Sequence, residues 1–140
     1  MKRLISAFAA LPLLLSLSAH AATWVDVGAT AEQQKIKFDS ERIQRQGDAV
    51  TVAIRVDYPA TQMIPFSPKT YVSAERIYHF QCASKQFIVA SVKMFDKEGA
   101  TVYDFDSSKS PFGSPQPQAI PADKSADRLA FDAACAYKKP

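Results

Sequence analysis

The stretch IYHFQCASKQF, residues 77–87, decides how the rest of the sequence is interpreted. It places His79 three positions before Cys82, one of only two cysteines in the chain. Imidazole and thiol groups are components of nucleophilic and metal-binding sites. The stretch has the residue pattern of a β-strand, however, in which positions 79 and 82 point to opposite faces. Whether the chain bulges or turns tightly after Cys82 is left open.

The second cysteine, Cys135, lies close to the C-terminus. In exported proteins an even pair of cysteines is usually a disulfide. A bond between Cys82 and Cys135 would stabilise the fold by about 4 kcal/mol on a chain-entropy estimate. We therefore predict that Cys82 and Cys135 form a structural disulfide, and we predict no catalytic residue in this stretch.

Residues 1–21 are predicted to be a secretory signal peptide. Lys2 and Arg3 precede an apolar run over residues 4–17, and small residues precede the predicted cleavage site between Ala21 and Ala22. The run is shorter than the roughly 20 residues that span a bilayer. Because residue 22 is alanine rather than the cysteine of a lipoprotein, we expect neither a transmembrane segment nor a lipid anchor in the mature chain.

The mature chain, residues 22–140, is predicted to form one domain. Taking Lys2 and Arg3 from the 17 basic residues leaves 15, against 14 acidic residues. Such a nearly neutral surface gives no electrostatic reason to expect nucleic acid or anionic lipid as the partner.

Alternation of apolar and polar residues predicts an antiparallel sheet. The clearest strand covers residues 49–58, with the apolar side chains of its even-numbered positions on one face. In residues 86–95 we predict a strand with Ile88, Ala90, Val92 and Met94 on one face. The other predicted strands are residues 23–27, 35–38, a segment beginning at Tyr71-Val72 or at Arg76, and 101–105.

Turns, loops and one helix complete the predicted fold. Asp96–Gly99 is a hairpin turn, and residues 59–68, with three prolines, form a loop. A helix over residues 125–136, capped by Asp123 or Ser125, packs Leu129, Phe131 and Ala134 on the sheet. The predicted fold class is α+β, mainly β. It is a single antiparallel sheet of about six strands with a C-terminal helix stapled to it by a disulfide.

The sequence lacks the motifs of common enzymes and metal sites. Residues 104–108 begin like a calcium loop, but Lys109 and Pro115 occupy the positions that need glycine and glutamate. No serine lies in a Gly-x-Ser-x-Gly motif, and no glycine-rich phosphate loop is present. We therefore predict a non-enzymatic protein with no catalytic residues, no metal ligands and no cofactor.

Phe66 and Phe112 lie among prolines in predicted loops. Exposed aromatic residues on loops are common binding anchors. The alternative, which we favour, is that both fold back as core plugs. The sequence therefore does not identify a binding site.

The order of these features resembles the surface-adhesin protein E-like family of small exported bacterial proteins. The resemblance covers most of the mature chain and rests on the following residues: Phe38-Asp39-Ser40, Ile43, Gly47, Val56-Asp57-Tyr58, Tyr78-x-Phe80-x-Cys82-Ala83-Ser84-Lys85-x-Phe87, Asp96-x-x-Gly99, Pro121, Ser125 and Cys135.

The resemblance implies an antiparallel sheet with a C-terminal helix, joined by a disulfide that falls on Cys82 and Cys135. It also implies a non-enzymatic role, because the named members are adhesins for host extracellular-matrix and plasma proteins. The leading hypothesis is an exported binding protein of the periplasm or cell surface with a protein ligand. The alternatives are a periplasmic inhibitor of a host enzyme such as lysozyme, and a periplasmic structural protein.

Overall fold

A computed structural model describes residues 21–140, so the predicted signal peptide lies outside the described residues except for Ala21. Over this range the elements are β1 (Trp24–Ala29), β2 (Lys35–Asp39), β3 (Gln44–Gln46), β4 (Ala49–Met63), β5 (Thr70–Gln81), β6 (Gln86–Phe95), β7 (Thr101–Asp106), β8 (Gln118–Ala119) and α1 (Ala126–Ala136). Within residues 21–140, no helix has the length and apolar character needed to cross a membrane.

All eight strands belong to one antiparallel sheet. Its main path is β1-β2-β4-β5-β6-β7, while β3 pairs with β4 and β8 pairs with β6. The predicted sheet of about six strands is therefore confirmed. The sequence did not predict β3 and β8, because two or three residues are too few to show an alternating pattern.

Strand β4 is longer than predicted, because it continues through Pro59 to Met63. Proline cannot donate a ladder hydrogen bond, which is why the sequence predicts a loop from residue 59. The pairing of β4 with β5 is irregular between Asp57 and Gln62, so Pro59 lies where no regular ladder donor is needed. The loop prediction is therefore wrong for residues 59–63.

Strand β6 contains a β-bulge that the sequence does not reveal. Its pairing with β5 skips Ala90. An extra residue reverses the alternation of faces beyond it. The prediction that Ile88 and Ala90 share a face with Val92 and Met94 is therefore wrong, and Val89 is the residue that joins Val92 and Met94 on one face.

Residues 82–85 form a tight hairpin turn, which settles the alternative left open by the sequence. Strand β5 ends at Gln81, and Gln81 pairs with Gln86 at the start of β6. The Asp48 carboxylate accepts a hydrogen bond from the Ala83 N–H at 2.8 Å. Cys82 is thus the first residue of a turn that a neighbouring hairpin holds in place.

Helix α1 covers part of one face of the sheet, which we call the inner face. On this face the helix packs onto alternating residues of β2 and β4 and onto the Tyr78–Phe80 end of β5. The Phe131 ring lies edge-on to the Phe80 ring, with centroids 5.6 Å apart. The buried core comprises Ile36, Phe38, Val50, Val52, Ile54, Val56, Tyr78, Phe80, Phe87, Ala130, Phe131 and Ala134.

The N-terminal end of α1 is capped and tied to the sheet. Of the two predicted caps, Ser125 is the one observed, and its Oγ accepts a hydrogen bond from the Arg128 N–H at 3.4 Å. In the first turn, Asp127 accepts a hydrogen bond from the Tyr78 hydroxyl at 2.5 Å. A carboxylate at this end also interacts favourably with the helix dipole.

The C-terminal end of α1 carries the disulfide. Cys82 and Cys135 are bonded, with Cα atoms 5.8 Å apart and a sequence separation of 53. The Arg45 guanidinium donates hydrogen bonds to the main-chain oxygens of Ala134 at 3.2 Å and Cys135 at 2.9 Å. These oxygens belong to the helix end that lacks internal partners and attracts cations. Both ends of the short helix are therefore fixed to the sheet.

The opposite face, which we call the outer face, is charged. Asp57 lies 2.8 Å from Arg55 Nε and 3.1 Å from Lys37 Nζ, and Arg55 lies 3.4 Å from Glu75. Such partly exposed pairs contribute little stability each. The outer face is a solvated surface with alternating charges.

Candidate functional site

The inner face above β6 and β7 is not covered by α1 and forms an apolar groove of about 520 Å³. We call it the groove. Its floor consists of Val89, Val92, Met94, Tyr103 and Phe105. The two aromatic residues are 39% and 36% exposed, whereas the core under α1 is almost fully buried. The groove is therefore an open continuation of the core.

Register and the β6 bulge together build the groove floor. Val92 pairs with Phe105 and Met94 with Tyr103 across β6 and β7, so each pair points to the inner face. The bulge at Ala90 brings Val89 to the same face. Without the extra residue, the side chains of β6 would alternate regularly. One end of the floor would then be formed by residues that now point to the outer face.

A polar cluster lies at the wall where the groove meets α1. Arg76 donates hydrogen bonds to the hydroxyl oxygens of Tyr78 at 3.2 Å and Tyr58 at 3.3 Å. Its Nη1 also lies 3.7 Å from Asp127 Oδ1. The guanidinium thus joins two strands of the sheet to the first turn of the helix.

Burial sets the protonation of this cluster. Burial and the nearby Asp127 carboxylate raise the pKa of Tyr78 above its usual range, although Arg76 opposes the shift. Burial likewise raises the pKa of Tyr58. Both hydroxyl groups therefore stay protonated at neutral pH, and the Tyr78 hydroxyl can keep donating to Asp127. The cluster positions α1.

The loop between β4 and β5 forms the rim of the groove. Ile64 is buried and lines the groove from this loop, whereas Phe66 is 109% exposed. The Ser67 N–H donates to the Ile64 carbonyl at 3.1 Å, which closes a turn with Pro65 and Phe66 at its centre. Phe66 has φ +60°. Glycine or asparagine normally occupies this turn position, because a larger side chain is strained there.

The favoured prediction that Phe66 and Phe112 are core plugs is wrong. Phe112 is 95% exposed, in the segment between β7 and β8. Prolines 65 and 111 immediately precede the two aromatic residues, and each Pro-Phe pair lies in a turn. Only Phe66 lies beside the groove, because Ile64 and Pro65 line it.

His79 and Cys82 are not brought together in a reactive arrangement. His79 is exposed on the outer face, where its Nδ1 lies 2.8 Å from Thr51 Oγ1. The Cys82 sulfur is bonded to Cys135. Among residues 21–140, no three His, Cys, Asp or Glu side chains converge in a way that could hold a metal ion.

Sequence reasoning did not find the groove. One signal was available, because β6 and β7 both carry apolar residues and the sequence predicts a single short helix to cover the sheet. Strands lie about 4.8 Å apart, and a helix with its side chains is about 10 Å wide. One helix therefore covers two or three strands of six, and some apolar surface has to stay open.

Similarity to known proteins agrees with this architecture. The family model described as surface-adhesin protein E matches residues 24–136. None of the curated proteins matches the sequence significantly.

Two solved structures of Haemophilus influenzae protein E have a similar fold. One shares 13% sequence identity with a TM-score of 0.52, and the match covers 81% of this chain and 83% of that chain. The other, crystal form II, shares 15% identity with a TM-score of 0.51, covering 72% of this chain and 80% of that chain. At such low identity the likeness shows the fold alone. The family match runs from β1 to the end of α1, so the chain belongs to the surface-adhesin protein E family.

Proposed function

We propose that the protein is an exported, non-enzymatic binding protein that acts as an adhesin for host extracellular-matrix or plasma proteins. The observation that carries the proposal is the groove, an apolar surface left open beside a packed core. Contiguous exposed apolar surface on a soluble domain is typical of an interaction site. Membership of a family of surface adhesins supports the same class of function.

The composition of the groove suits protein recognition. Tyr103 and Phe105 are half-exposed aromatic residues, the type that contributes most to protein interfaces. The strands beneath them are fixed by the sheet ladder, so little backbone entropy is lost on binding. Phe66 adds a fully exposed aromatic side chain at the rim.

The strained turn at Phe66 also supports a binding role. A non-glycine residue at positive φ costs about 1 kcal/mol or more. Phe66 makes no compensating core contact, since its side chain is fully exposed. Strain retained at an exposed aromatic residue is the pattern expected when the side chain contacts a partner.

The residues available for chemistry support a non-enzymatic role. The Cys82 thiol is consumed by the disulfide, and His79 is exposed on the outer face, away from the groove. The groove wall holds Arg76 and Asp127, but they are engaged with each other and with Tyr78. We assign this cluster a structural role.

Export is part of the proposal. Residues 1–21 would direct secretion, with cleavage between Ala21 and Ala22. Residues 22–140 would then form the single mature domain, with the disulfide made in an oxidising compartment. Mass spectrometry of the mature N-terminus tests the cleavage site, and a chain that begins at Met1 would contradict it.

The experiment that tests adhesion compares cells that carry the gene with cells that lack it. Wells are coated with serum proteins or with a basement-membrane extract, and intact cells are treated with protease in parallel. We expect greater adhesion by the cells that carry the gene, and loss of the protein on protease treatment. Equal adhesion would contradict the adhesin proposal, and full protection from protease would place the protein in the periplasm.

A second candidate function is inhibition of a host enzyme such as lysozyme. The observation that favours it is the protruding β4–β5 turn, which presents Phe66 in a fixed conformation. A rigid loop of this kind is what an inhibitor inserts into a catalytic cleft. A lysozyme assay with the purified protein tests it, and unchanged lysozyme activity at excess protein would exclude inhibition of that enzyme.

A further inference from the structure

The short strand β3 adds nothing to the buried core. All three of its residues are exposed, and so are Gly47 and Asp48, which connect it to β4. Burial of apolar side chains therefore does not explain why the chain adds this strand to the sheet. Two polar residues of the hairpin, Arg45 and Asp48, contact the two chain segments that carry the cysteines.

Arg45 holds the chain around Cys135. It pairs across the strands with Val50, whose side chain belongs to the core, so the Arg45 side chain also points to the inner face, where α1 lies. Its Nη2 donates to the main-chain oxygens of Ala134 at 3.2 Å, Cys135 at 2.9 Å and Tyr137 at 3.4 Å. Because these three oxygens converge on one cationic nitrogen, a single side chain gathers the end of the helix.

Asp48 holds the turn that begins with Cys82. Its main-chain oxygen accepts a hydrogen bond from the Cys82 N–H at 3.1 Å. Its carboxylate accepts a second one from the Ala83 N–H at 2.8 Å. The hairpin of β3 and β4 therefore contacts both cysteine segments, and it fixes the position of one relative to the other.

The C-terminal end of α1 has little apolar surface of its own. After Phe131 the helix consists of one aspartate, three alanines and Cys135. Beyond the helix, the Tyr137 ring lies edge-on to the Phe38 ring, with centroids 5.0 Å apart. A helix of 11 residues is marginal alone, so without the disulfide this end depends on the Tyr137 contact and on Arg45.

We propose that the β3–β4 hairpin, residues 44–49, is a clamp that holds Cys135 beside Cys82 before the disulfide forms. The hairpin closes through a two-residue turn, which costs little loop entropy, so it can form in the reduced chain. Arg45 then retains the end of α1 and raises the effective concentration of one thiol at the other. The intramolecular bond is thereby favoured over bonds to other chains and to small thiols. Arg45 and Asp48 act as positioning residues.

The oxidation that the clamp favours is a thiol–disulfide exchange. With glutathione disulfide as the oxidant, one cysteine thiolate attacks a glutathione sulfur, the glutathione S–S bond breaks, and one glutathione thiolate leaves. The second cysteine thiolate attacks the mixed disulfide, forms the Cys82–Cys135 bond and releases the second glutathione thiolate. The two cysteines lose two electrons to glutathione disulfide, and their two protons pass to the released thiolates. Only the second step is intramolecular, so the clamp acts on that step.

The test measures the effective concentration of the two thiols. The protein is equilibrated in mixtures of reduced and oxidised glutathione, free thiols are trapped with a maleimide, and mass spectrometry separates the oxidised from the reduced chain. The test variants are Arg45→Ala and Asp48→Ala. The matched controls are Asp48→Asn, which keeps a hydrogen-bond acceptor, and Arg55→Ala. Arg55 makes its hydrogen bonds to Asp57 and Glu75 on the outer face, which α1 does not cover.

We expect Arg45→Ala to lower the effective concentration about tenfold, as for loss of a charged hydrogen-bonding group. Asp48→Ala should lower it about threefold, a smaller effect because the β5–β6 hairpin still places Cys82. Asp48→Asn and Arg55→Ala should match the wild type. A wild-type value for Arg45→Ala would overturn the proposal. An equal fall in Arg55→Ala would also overturn it, because the effect would then be a general loss of stability.

The same measurement in concentrated urea removes the contribution of the fold. The wild type and all four variants should then give the same low effective concentration. A difference between the wild type and Arg45→Ala that persists in urea would overturn the proposal, because the clamp exists only in the folded chain. If circular dichroism shows that reduced Arg45→Ala is unfolded, the comparison of Asp48→Ala with Asp48→Asn decides, and equal values for these two variants would overturn the proposal.

Discussion

The inner face of the sheet has two halves built from the same kind of residues. Under α1, the side chains of Ile54 and Phe80 are completely buried, whereas in the groove Tyr103 and Phe105 remain more than one-third exposed. Strand alternation produces both surfaces, and the length and position of one helix decide which becomes core. An apolar strand face therefore becomes core only where the fold provides a cover, and elsewhere it stays open to solvent.

Removing the disulfide should cause the largest loss of stability, because it loosens α1, which covers the buried half of the inner face. We expect the double variant Cys82→Ala, Cys135→Ala to lose about 4 kcal/mol of unfolding free energy. Urea denaturation measures the loss. An apolar dye such as ANS should also bind more strongly to the variant, since a loosened α1 exposes Phe80 and Phe131. A loss below about 1 kcal/mol would mean that the other contacts of α1 suffice.

A matched pair of phenylalanine variants compares the two halves directly. Phe131→Ala should cost about 3 kcal/mol of stability, because it removes a buried ring that packs on Phe80. Phe105→Ala should cost less than about 1 kcal/mol, because the side chain is already partly solvated. Chemical denaturation of both proteins measures the difference. Equal losses would show that the groove is structurally part of the core.

Because Tyr78 is buried under α1, we expect the stability of the protein to fall at high pH. The pKa of Tyr78 is raised from 10.0 by burial, so above pH 10 the unfolded chain releases a proton that the folded protein keeps. Stability is therefore complete below pH 10 and falls as the pH rises, by about 1.4 kcal/mol per unit for this group.

Tyr78→Phe provides the control for that pH dependence. At pH 7 it should lower stability by about 1 kcal/mol, because the hydrogen bond to Asp127 is lost. Above pH 10 the difference from the wild type should shrink, which urea unfolding at several pH values measures. If the unfolding free energies of the two proteins changed with pH at the same slope, the raised pKa of Tyr78 would be contradicted.

The smallest expected effect concerns Phe66 at the groove rim. Phe66→Asn should raise the unfolding free energy by about 0.5 kcal/mol, since asparagine tolerates positive φ better than phenylalanine. The same change should weaken binding to coated wells if Phe66 touches the partner. Phe112→Asn is the control, because it removes an equally exposed aromatic residue from a different loop. A stabilised variant with unchanged binding would remove Phe66 from the binding surface.

Much of the fold could be predicted from local sequence patterns. Period-two alternation predicts β4 as far as Tyr58, and the small number of cysteines makes Cys82 and Cys135 natural partners in an exported protein. The cap at Ser125 and the turn at Gly99 are equally local signals. Each of these features depends on residues close in sequence or on a unique pairing.

The features that were missed depend on contacts distant in sequence. The bulge at Ala90 arises from the pairing with β5, and no turn residue marks it. Proline 59 is tolerated in β4 because the ladder is irregular there. In the β4–β5 loop Ile64 is buried and Phe66 is exposed, although both are apolar and only two positions apart. No local sequence pattern predicts the groove, because the groove is the part of the inner face that α1 does not cover.

The most direct test of the central claim, that the open half of the inner face is the binding surface, is the adhesion of cells carrying Tyr103→Lys or Val25→Lys. Both residues are 39% exposed, at opposite edges of the sheet. We expect Tyr103→Lys to abolish adhesion to the coated wells while its urea midpoint stays close to that of the wild type, and Val25→Lys to adhere normally. Full adhesion by cells with a folded Tyr103→Lys protein would contradict the claim.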